Sequence, residues 1–335
     1  MKKILIIAKK DDIPVLKVIE EIQRMGHHVL FFDLTNFPKT SNLSLDNINS
    51  KTSGFIDLIK FENFKKTKYR ALLEDIGIVW HIRPGLPVAS NVVKSDGVKK
   101  FIENESRVCL QNIFASANFN FVNHPLFTKF LEDGKFYPLK IAEAIGLNVP
   151  KTIITNDPEK LIKFSNDCNN KIIVKLLHGT VLKDKKDFYF IYANKIKTSY
   201  LKKEKENIKL SPIMAQEYIE KKTELRLTVI GKKIFTCAID SQASEKTRID
   251  WRKYDFAKVK HYQYFLSENI KKKIIKLMDK LNLNYGTIDL IITPNNDYFF
   301  LEVNPSGQWG WIEEITGINI SQGIAKYLIS RIKNT

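Results

Sequence analysis

Two carboxylates and one carboxamide have the most informative spacing in this sequence. Asp289 lies in the apolar segment GTIDLIIT, and Glu302 and Asn304 lie two residues apart in the later segment FLEVNP. The intervening PNND is a strong turn signal, so the two segments are expected to pair as a hairpin. Side chains two residues apart in a strand share a face, which brings the three oxygen-bearing groups together. The pattern predicts a Mg²⁺ site completed by phosphate oxygens, because hard oxygen ligands suit that ion and burying unpaired carboxylates is costly.

Two lysines occupy positions from which they could meet phosphates. Lys175 ends the apolar segment IIVK and precedes a connection that contains Gly179, while Lys135 begins a predicted helix. A cation at a strand end beside a glycine-containing loop is well placed for phosphate oxygens. The sequence holds 54 Lys and Arg residues, so surface charge is the simpler interpretation of either lysine taken alone. His178 in the same connection is a candidate proton acceptor, with an ordinary loop residue as the alternative.

A third feature is the segment QEYI at 216–219, which is followed by ELR at 224–226. An apolar strand that runs into a polar linker can present its backbone N–H and C=O groups to the edge of adenine. The carboxylate of Glu224, seven residues after Glu217, can hold ribose hydroxyls. With the lysines and the predicted metal site, this gives six short motifs in one order across residues 135–304.

In this order the motifs resemble the ATP-grasp superfamily. The resemblance implies an α/β and α+β architecture, in which a central and a C-terminal domain hold ATP between them and an N-terminal pre-grasp α/β domain precedes both. The corresponding ranges are 1–122 for the N-terminal domain, 123–212 for the central domain and 213–335 for the C-terminal domain. ATP and Mg²⁺ are the cofactors that the resemblance implies.

The resemblance also implies roles for individual residues. Lys135 and Lys175 would contact the phosphates. The other nucleotide contacts would come from a hinge that meets adenine and from a ribose-binding carboxylate: Glu217, Tyr218, Ile219 and Glu224. Two Mg²⁺ ions would be bound by the residues of the predicted hairpin: Asp289, Glu302 and Asn304.

Three further segments narrow the resemblance. IDSQ at 239–242, TRIDWR at 247–252 and NPSGQW at 304–309 are similar to the microviridin-type peptide ligases, the graspetide synthetases. These ligases activate Asp or Glu side chains of a ribosomal precursor peptide as acyl phosphates, which Ser/Thr hydroxyls or Lys amines capture as macrocyclic esters or amides. The resemblance therefore implies a precursor peptide, with a leader and an acidic core, as the partner. Homodimers are common among such ligases, so a second copy is a further candidate partner.

Three arginines are candidate catalytic residues. Arg226, in a strand beside the nucleotide, could stabilise the acyl-phosphate transition state. Arg248 and Arg252 could engage substrate carboxylates, because the guanidinium fork matches a carboxylate. For Arg252, a structural ion pair with Asp250 or Asp255 is an equal alternative.

The segment WHIRP at 80–84 resembles a motif that these ligases usually show with two adjacent arginines. Here Ile82 replaces the first arginine, which leaves Arg83 as the one that could serve. Lysines within 183–186 and in the first domain could steer an acidic peptide towards the site.

The elements that must position these residues follow from hydrophobic periodicity. In the N-terminal part we expect strands at 3–8, 28–33 and 76–80, a helix opened by Pro14, a loop and hairpin over 39–64, and a helix over 93–118. The first turn lacks GxGxxG, which disfavours dinucleotide binding. Downstream, a helix over 135–145 precedes several short strands, a polar connection over 176–188 and a Lys/Glu-rich linker over 201–211. The C-terminal part is expected to hold strands at 214–219, 225–230 and 233–239, a helix over 268–282, the hairpin and a helix over 319–333.

Composition limits the alternatives. The net charge of +17 attracts anions, but the lysines are dispersed and no nucleic-acid-binding motif is present, so nucleic acid is not expected as a partner. No apolar run is long enough for a membrane span or a signal sequence, so no membrane partner is expected. Three separated cysteines favour a reduced, cytoplasmic protein. An ATP-grasp ligase that adds glutamate or another amino acid to a carboxylate, and a nucleotide-binding protein without catalysis, remain alternatives.

Overall fold

The computed structural model describes residues 2–48, 51–117, 119–177, 181–184 and 187–332. The chain divides into two compact units. The first comprises Met1–Thr128, Gln308–Glu313 and Asn319–Thr335, and the second comprises Lys129–Gly307 and Glu314–Ile318. Helices and sheets occur in both units, which agrees with the predicted mixed α/β architecture. The division into three domains stays a prediction.

The first unit is built on a seven-stranded sheet. Its path is β3-β4-β2-β1-β6-β7, with β5 paired to β4, and β1 is parallel to both β2 and β6. Strands β1, β2 and β6 are almost entirely buried, as expected for parallel strands covered on both faces. The strands are β1 (Lys3–Ile7), β2 (Val29–Phe32), β3 (Leu43–Ile48), β4 (Lys51–Glu62), β5 (Lys65–Leu72), β6 (Ile76–His81) and β7 (Asn120–Phe121).

Helices cover this sheet. In α1 (Ile13–Arg24) the side chain of Asp12 accepts a hydrogen bond from the N–H of Val15 and caps the helix, and Pro14 lies in its first turn. Helix α2 (Asp96–Ser116) contributes Leu110, Ile113 and Phe114 to the core cluster of the sheet. The C-terminal helix α10 (Ile320–Ile332) packs against α1, β1 and β6.

The second unit contains a four-stranded and a five-stranded sheet. The four-stranded sheet has the order β12-β9-β13-β8. The strands β10 and β11, which lie between β9 and β12 in the sequence, form a separate two-stranded hairpin. The strands are β8 (Thr152–Thr155), β9 (Ile172–Lys175), β10 (Val181–Asp184), β11 (Asp187–Phe190), β12 (Asn194–Ile196) and β13 (Ile213–Glu217). The helices of this part are α3 (Pro125–Asp133), which spans the boundary of the units, α4 (Phe136–Ala144), α5 (Pro158–Asp167), α6 (Thr198–Lys203) and α7 (Lys205–Lys209).

The five-stranded sheet is antiparallel, with the order β16-β15-β14-β17-β18. Its strands are β14 (Thr223–Ile230), β15 (Lys233–Ile239), β16 (His261–Gln263), β17 (Tyr285–Ile292) and β18 (Tyr298–Asn304). Two helices complete the element list: α8 (Glu268–Lys280), and α9 (Gly310–Thr316), which spans the second boundary of the units.

Strands β17 and β18 pair with a register shift. Asp289 is opposite Glu302, whereas the next pair is Leu290 with Phe300, so Leu301 is the extra residue of a β-bulge. Residues opposite each other in an antiparallel pair point to the same face, so Asp289 and Glu302 share a face, and it is the bulge that places them opposite each other.

The range 39–64, expected as a loop and hairpin, contains all of β3 and β4, which are consecutive and antiparallel, so the hairpin is confirmed. Two other sequence expectations need correction or completion. The Lys/Glu-rich range 201–211 is mainly helical, because the buried Leu201 and Ile208 anchor α6 and α7. The polar connection over 176–188 includes β10 and the start of β11, and His178 with Lys185 and Lys186 lies outside the described residues.

Within the described ranges no helix combines the length and apolarity needed to cross a membrane.

Candidate functional site

A cleft of about 810 Å³ in the second unit collects most of the predicted site residues. Its walls come from β9 and β13 of the four-stranded sheet and from β14, β17 and β18 of the five-stranded sheet. Nine of the twelve predicted site residues line it. The lining members are Lys135, Lys175, Glu217, Tyr218, Ile219, Glu224, Arg252, Asp289 and Glu302. Arg226 contacts the cleft through Asp289, and Arg248 and Asn304 lie outside the lining set.

The end of the cleft at Lys135 and Lys175 is cationic around one carboxylate, that of Glu302. The Nζ of Lys135 donates to the backbone oxygen of Leu176 at 2.7 Å, which ties the start of α4 to the end of β9. Burial lowers the pKa of both Lys135 and Lys175, and Glu302 opposes this shift in each case. Burial alone would raise the pKa of Glu302, but the positive charges of Lys175 and Arg252, with smaller contributions from other cations, hold it below its usual value. The ionised carboxylate therefore offsets the positive charges that would otherwise face one another.

Asp289 is bonded to an arginine. The Nη1 of Arg226 lies 3.0 Å from each carboxylate oxygen of Asp289, and both side chains are buried. Burial raises the pKa of Asp289 to about 6 against the opposing effect of Arg226, and the charge of Glu302 acts in the same direction as burial. The Nε of Arg226 is buried and has no hydrogen-bond partner among the described residues. The Nε–H of Arg226 is therefore a donor in the cleft wall that no described residue uses.

The predicted metal ligands are brought to one edge of the hairpin. Asn304 is opposite Thr287 in the register, two residues beyond Glu302, and its side chain is exposed. Its Oδ1 accepts a hydrogen bond from the N–H of Ser306 at 2.9 Å and retains a second lone pair. Within the described residues no group of three His, Cys, Asp or Glu side chains suits a metal ion. The available donor set, two carboxylates and a carboxamide, is the oxygen chemistry that Mg²⁺ accepts when phosphate oxygens and water complete its shell.

The predicted hinge segment is fixed by backbone hydrogen bonds. The N–H of Glu217 donates to the carbonyl oxygen of Lys151 at 2.9 Å, and the N–H of Tyr218 donates to the carbonyl oxygen of Lys171 at 2.8 Å. The Nζ of Lys195 lies 3.3 Å from the centre of the Tyr218 ring, so a cation covers that ring. Ile219 follows along the cleft wall.

The predicted ribose-binding carboxylate is held by a buried lysine that sequence reasoning missed. The Nζ of Lys221 donates to Glu224 at 2.7 Å and to the backbone oxygen of Ile249 at 2.9 Å. Both side chains of the ion pair are almost fully buried. Lys221 therefore links Glu224 to the segment that carries Arg248 and Arg252.

Gln216 is a second missed residue. It is fully buried, lines the cleft, and its Oε1 has no hydrogen-bond partner among the described residues. Its Nε2 donates to the hydroxyl of Thr152 at 2.9 Å, and that hydroxyl donates to the backbone oxygen of Pro150 at 2.8 Å. Because the Thr152 proton is committed to Pro150, the hydroxyl oxygen must accept from Gln216, which fixes the orientation of the amide. A buried acceptor that lacks a donor is costly and marks a place for a ligand N–H.

Arg252 forms the ion pair that was its alternative role. Its Nε and Nη2 lie 2.8 and 2.6 Å from the two carboxylate oxygens of Asp250, which also accepts from the N–H of Ala193. Hydrogen bonding to Asp250 raises the pKa of Arg252. Arg252 also lines the cleft, so the two roles are compatible. The side chain of Arg248 is exposed.

The WHIRP segment belongs to the first unit. Ile82 is buried, so an arginine is replaced by a core residue, and Arg83 binds Asp12 through two hydrogen bonds of 2.8 and 3.0 Å. The guanidinium of Arg83 also lies 4.9 Å from the ring centre of Trp309.

Comparison with known families agrees with this geometry. The profile of the RimK-like ATP-grasp domain matches residues 132–328, which is more than half of the chain. No curated protein sequence matches the chain significantly.

Several solved structures are similar over nearly the full length. A RiPP-associated ATP-grasp ligase of Chryseobacterium gregarium, in complex with ADP and a leader and core peptide, is 29% identical with a TM-score of 0.87, covering 99% of this chain and 97% of that chain. The macrocyclase MdnC of Microcystis aeruginosa, bound to the precursor peptide MdnA, is 27% identical with a TM-score of 0.81, covering 98% and 99%. The macrocyclase MdnB of the same organism is 24% identical, with a TM-score of 0.76 and coverage of 98% and 99%, and supports the fold.

Proposed function

The chain belongs to the RimK-like ATP-grasp family and is an ATP-grasp ligase, and from this premise we propose that it macrocyclises a ribosomal precursor peptide. The observation that carries the proposal is the cleft, in which four cations surround paired carboxylates beside a nucleotide-sized space. The chain is 29% identical to a RiPP-associated ATP-grasp ligase whose structure was solved with a leader and core peptide, and this similarity supports a peptide as the substrate.

In the proposed complex the adenine lies against the hinge. The backbone of Ile219 meets the edge of the base, and the oriented Oε1 of Gln216 accepts a hydrogen bond from the 6-amino group. Glu224, held by Lys221, binds the ribose hydroxyls. Lys135 and Lys175 then meet the phosphates at the cationic end of the cleft.

The proposed reaction has two steps. In the first, an oxygen of a substrate Asp or Glu carboxylate attacks the γ-phosphorus of ATP; the bond to the bridging oxygen of the β-phosphate breaks and ADP leaves. In the second, a Ser/Thr hydroxyl or a Lys amine of the same peptide attacks the acyl carbon, loses its proton, and phosphate leaves. Each link therefore consumes one ATP and removes one water from the peptide. Positioning and charge neutralisation supply most of the acceleration in such transfers.

The residues of the cleft divide this work. Mg²⁺, when bound, neutralises charge on the phosphates, and Asp289, Glu302 and Asn304 are the residues that would hold it. Arg226 is placed to stabilise charge on the acyl phosphate, because its Nε is an unused donor. Arg252, held by Asp250, positions the incoming carboxylate, and the exposed Arg248 engages an acidic residue of the peptide outside the cleft.

The net charge of +17 supports an acidic substrate. A positive surface raises the rate at which an acidic core reaches the site, and a leader that docks elsewhere raises the effective concentration of the core. We also propose a cytoplasmic location and a homodimer; the free thiols of Cys109, Cys168 and Cys237 support the former.

The test is mass spectrometry of an acidic precursor peptide, encoded beside the gene, after incubation with the enzyme, ATP and Mg²⁺. The expected result is loss of one water per link with an equal amount of ADP. Hydroxylamine then separates esters, which it cleaves, from amides. A mass gain of one amino-acid residue would show a residue-adding ligase instead, and tight ATP binding with no change in any acidic peptide would contradict the proposal.

A further inference from the structure

An aromatic ladder leads from the wall of the cleft to the surface of the second unit. Its members are Trp251, Tyr254, Phe256 and His261. The ring of Tyr254 meets Trp251 edge-on at 5.7 Å, stacks on Phe256 at 5.1 Å, and Phe256 is 5.7 Å from the ring of His261. Exposure rises from 8% at Trp251 to 39% at Tyr254 and 57% at Phe256, and His261 on the far side of Phe256 is half-buried. The ladder therefore runs outward from the site.

The inner end of the ladder lies among the groups that would handle a carboxylate. Trp251 lines the cleft, and the guanidinium of Arg226 is 5.9 Å from its ring centre. Arg252 is the next residue, and Lys253 covers the ring of Tyr192, another cleft residue, at 5.6 Å. An acidic side chain bound by these cations would leave its neighbours in the peptide against the aromatic rings.

The backbone at Tyr254 is unusual. Its φ is +39°, a conformation that favours glycine, yet the residue is a bulky aromatic whose ring remains substantially exposed. The N–H of Tyr254 donates to the carbonyl oxygen of Trp251, and the side chain of Asp250 caps the short helix at 251–253, so hydrogen bonds on the N-terminal side hold this conformation. Strain of this kind is typical of positions that contact a ligand, and burial of the ring does not compensate for it here.

We propose that the aromatic ladder is a subsite for an aliphatic or aromatic side chain directly adjacent to the reactive Asp or Glu of the peptide. The occupant follows from continuity with the cleft and from charge: the cations take the carboxylate, and the rings take the apolar neighbour. This inference rests on the proposed function, and it adds a sequence preference that the acyl-phosphate chemistry alone does not require. Apolar contact with stacked rings supplies affinity beyond simple area burial.

The experiment compares two fluorescently labelled peptides, Gly-Ser-X-Glu-X-Ser-Gly with X as Phe or Ala, by anisotropy with the full chain, Mg²⁺ and a non-hydrolysable ATP analogue. Because no turnover is needed, binding is measured separately from catalysis. We expect the Phe peptide to bind about tenfold more tightly. Phe256→Ala should abolish that preference, and Tyr254→Phe should retain it. Phe265→Ala is the matched control, because Phe265 is 77% exposed and lies outside the ladder.

Several outcomes would overturn the subsite. Equal binding of the two peptides to the unaltered enzyme, equal effects of Phe256→Ala and Phe265→Ala, or no binding of either peptide would each do so. A change of oligomeric state in Phe256→Ala with the preference intact would assign the ladder to a second copy of the chain instead. If the enzyme prefers the Phe peptide but no acidic peptide loses water with ATP, the proposed function fails and the subsite stands. If an acidic peptide loses water but the Phe and Ala peptides bind equally, the proposed function stands and the subsite fails.

Discussion

Two arginine–aspartate pairs with little solvent exposure, Arg83–Asp12 in the first unit and Arg226–Asp289 in the second, differ in how completely they are bonded. In the first unit the Nε and Nη2 of Arg83 each donate to one oxygen of Asp12, which also caps α1. In the cleft, Arg226 uses a single nitrogen for both oxygens of Asp289, and its buried Nε has no partner among the described residues.

The difference separates stability from chemistry. The Arg83 pair stabilises the fold, because the Asp12 carboxylate binds two nitrogens of the guanidinium and also caps the first turn of α1. The Arg226 pair keeps two groups available for a ligand: a carboxylate whose pKa burial has raised to about 6, and the Nε donor of Arg226, which has no acceptor among the described residues. We expect substitutions in the first unit to change the free energy of unfolding, and substitutions in the cleft to change turnover.

The largest effect is expected at Glu302. Glu302→Gln removes a proposed metal ligand and the carboxylate that offsets Lys175 and Arg252, so peptide-dependent ADP release should fall at least about a thousandfold, equivalent to about 4 kcal/mol of barrier. The measurement is ADP release at saturating peptide. Glu314→Gln, at an exposed position of the same unit, is the control and should retain activity. Substantial turnover in Glu302→Gln would show that the cleft carboxylates serve the fold, which removes the contrast.

Arg83→Ala should act on stability. Breaking a buried pair leaves the Asp12 carboxylate uncompensated, so the free energy of unfolding should fall by about 3 kcal/mol. Turnover per folded molecule should change less than about twofold. Urea denaturation and activity at low temperature measure the two quantities. The matched control is Arg70→Ala, whose exposed pair with Asp57 should contribute no more than about 1 kcal/mol.

His81 in the first unit sharpens the contrast, because the fold keeps it neutral. Burial lowers the pKa of His81 to about 4, whereas the unfolded chain has the ordinary value of about 6.5. Between these values the unfolded chain binds a proton that the folded chain does not, so stability is complete above pH 6.5 and falls as the pH decreases towards 4. From pH 7 to pH 5 the loss attributable to His81 should be about 2 kcal/mol. Urea denaturation at both values should show that His81→Gln removes this part of the pH dependence; an unchanged dependence would contradict the assignment.

The smallest effect is expected at Arg248. Because its side chain is exposed outside the cleft, Arg248→Ala should lower kcat/KM for the peptide about tenfold, or about 1.4 kcal/mol, through lost contact with an acidic residue. Nucleotide affinity, measured by calorimetry, should stay within about twofold. An equal loss of nucleotide affinity would place Arg248 with the nucleotide and extend the functional region beyond the cleft.

The parts of the site that could be predicted from sequence are those fixed by local geometry. Glu302 and Asn304 are two residues apart in one strand, so their shared face follows from strand periodicity. Asp289 lies opposite Glu302 because of the bulge at Leu301, which strand periodicity does not predict. Gln216 lies within a motif that sequence inspection selected, but its open oxygen depends on Thr152, 64 residues earlier. Lys221 depends on Ile249 in the same way, and such long-range contacts leave no periodic signal.

The incorrectly predicted linker has a different cause. Lys and Glu are common in linkers but are also good helix formers, and composition alone could not decide between the two. The buried Leu201 and Ile208 decided it through tertiary packing. For Arg252 the sequence left two roles open, and the structure combines them, because the bond to Asp250 leaves the guanidinium in the cleft wall.

The bulge at Leu301 has a consequence for related chains. Phe300 shares a face with Leu290, whereas Glu302 shares the other face with Asp289, and the one extra residue between them makes the change. If the same residues paired without the register shift, Leu301 would lie opposite Asp289 and Glu302 would point to the face of Leu290 and Phe300, while the helices and strands kept their places. Assembly of the proposed metal site therefore depends on the pairing register of a few residues. A related chain that paired these two strands regularly would keep its overall structural similarity and would still lose the paired carboxylates.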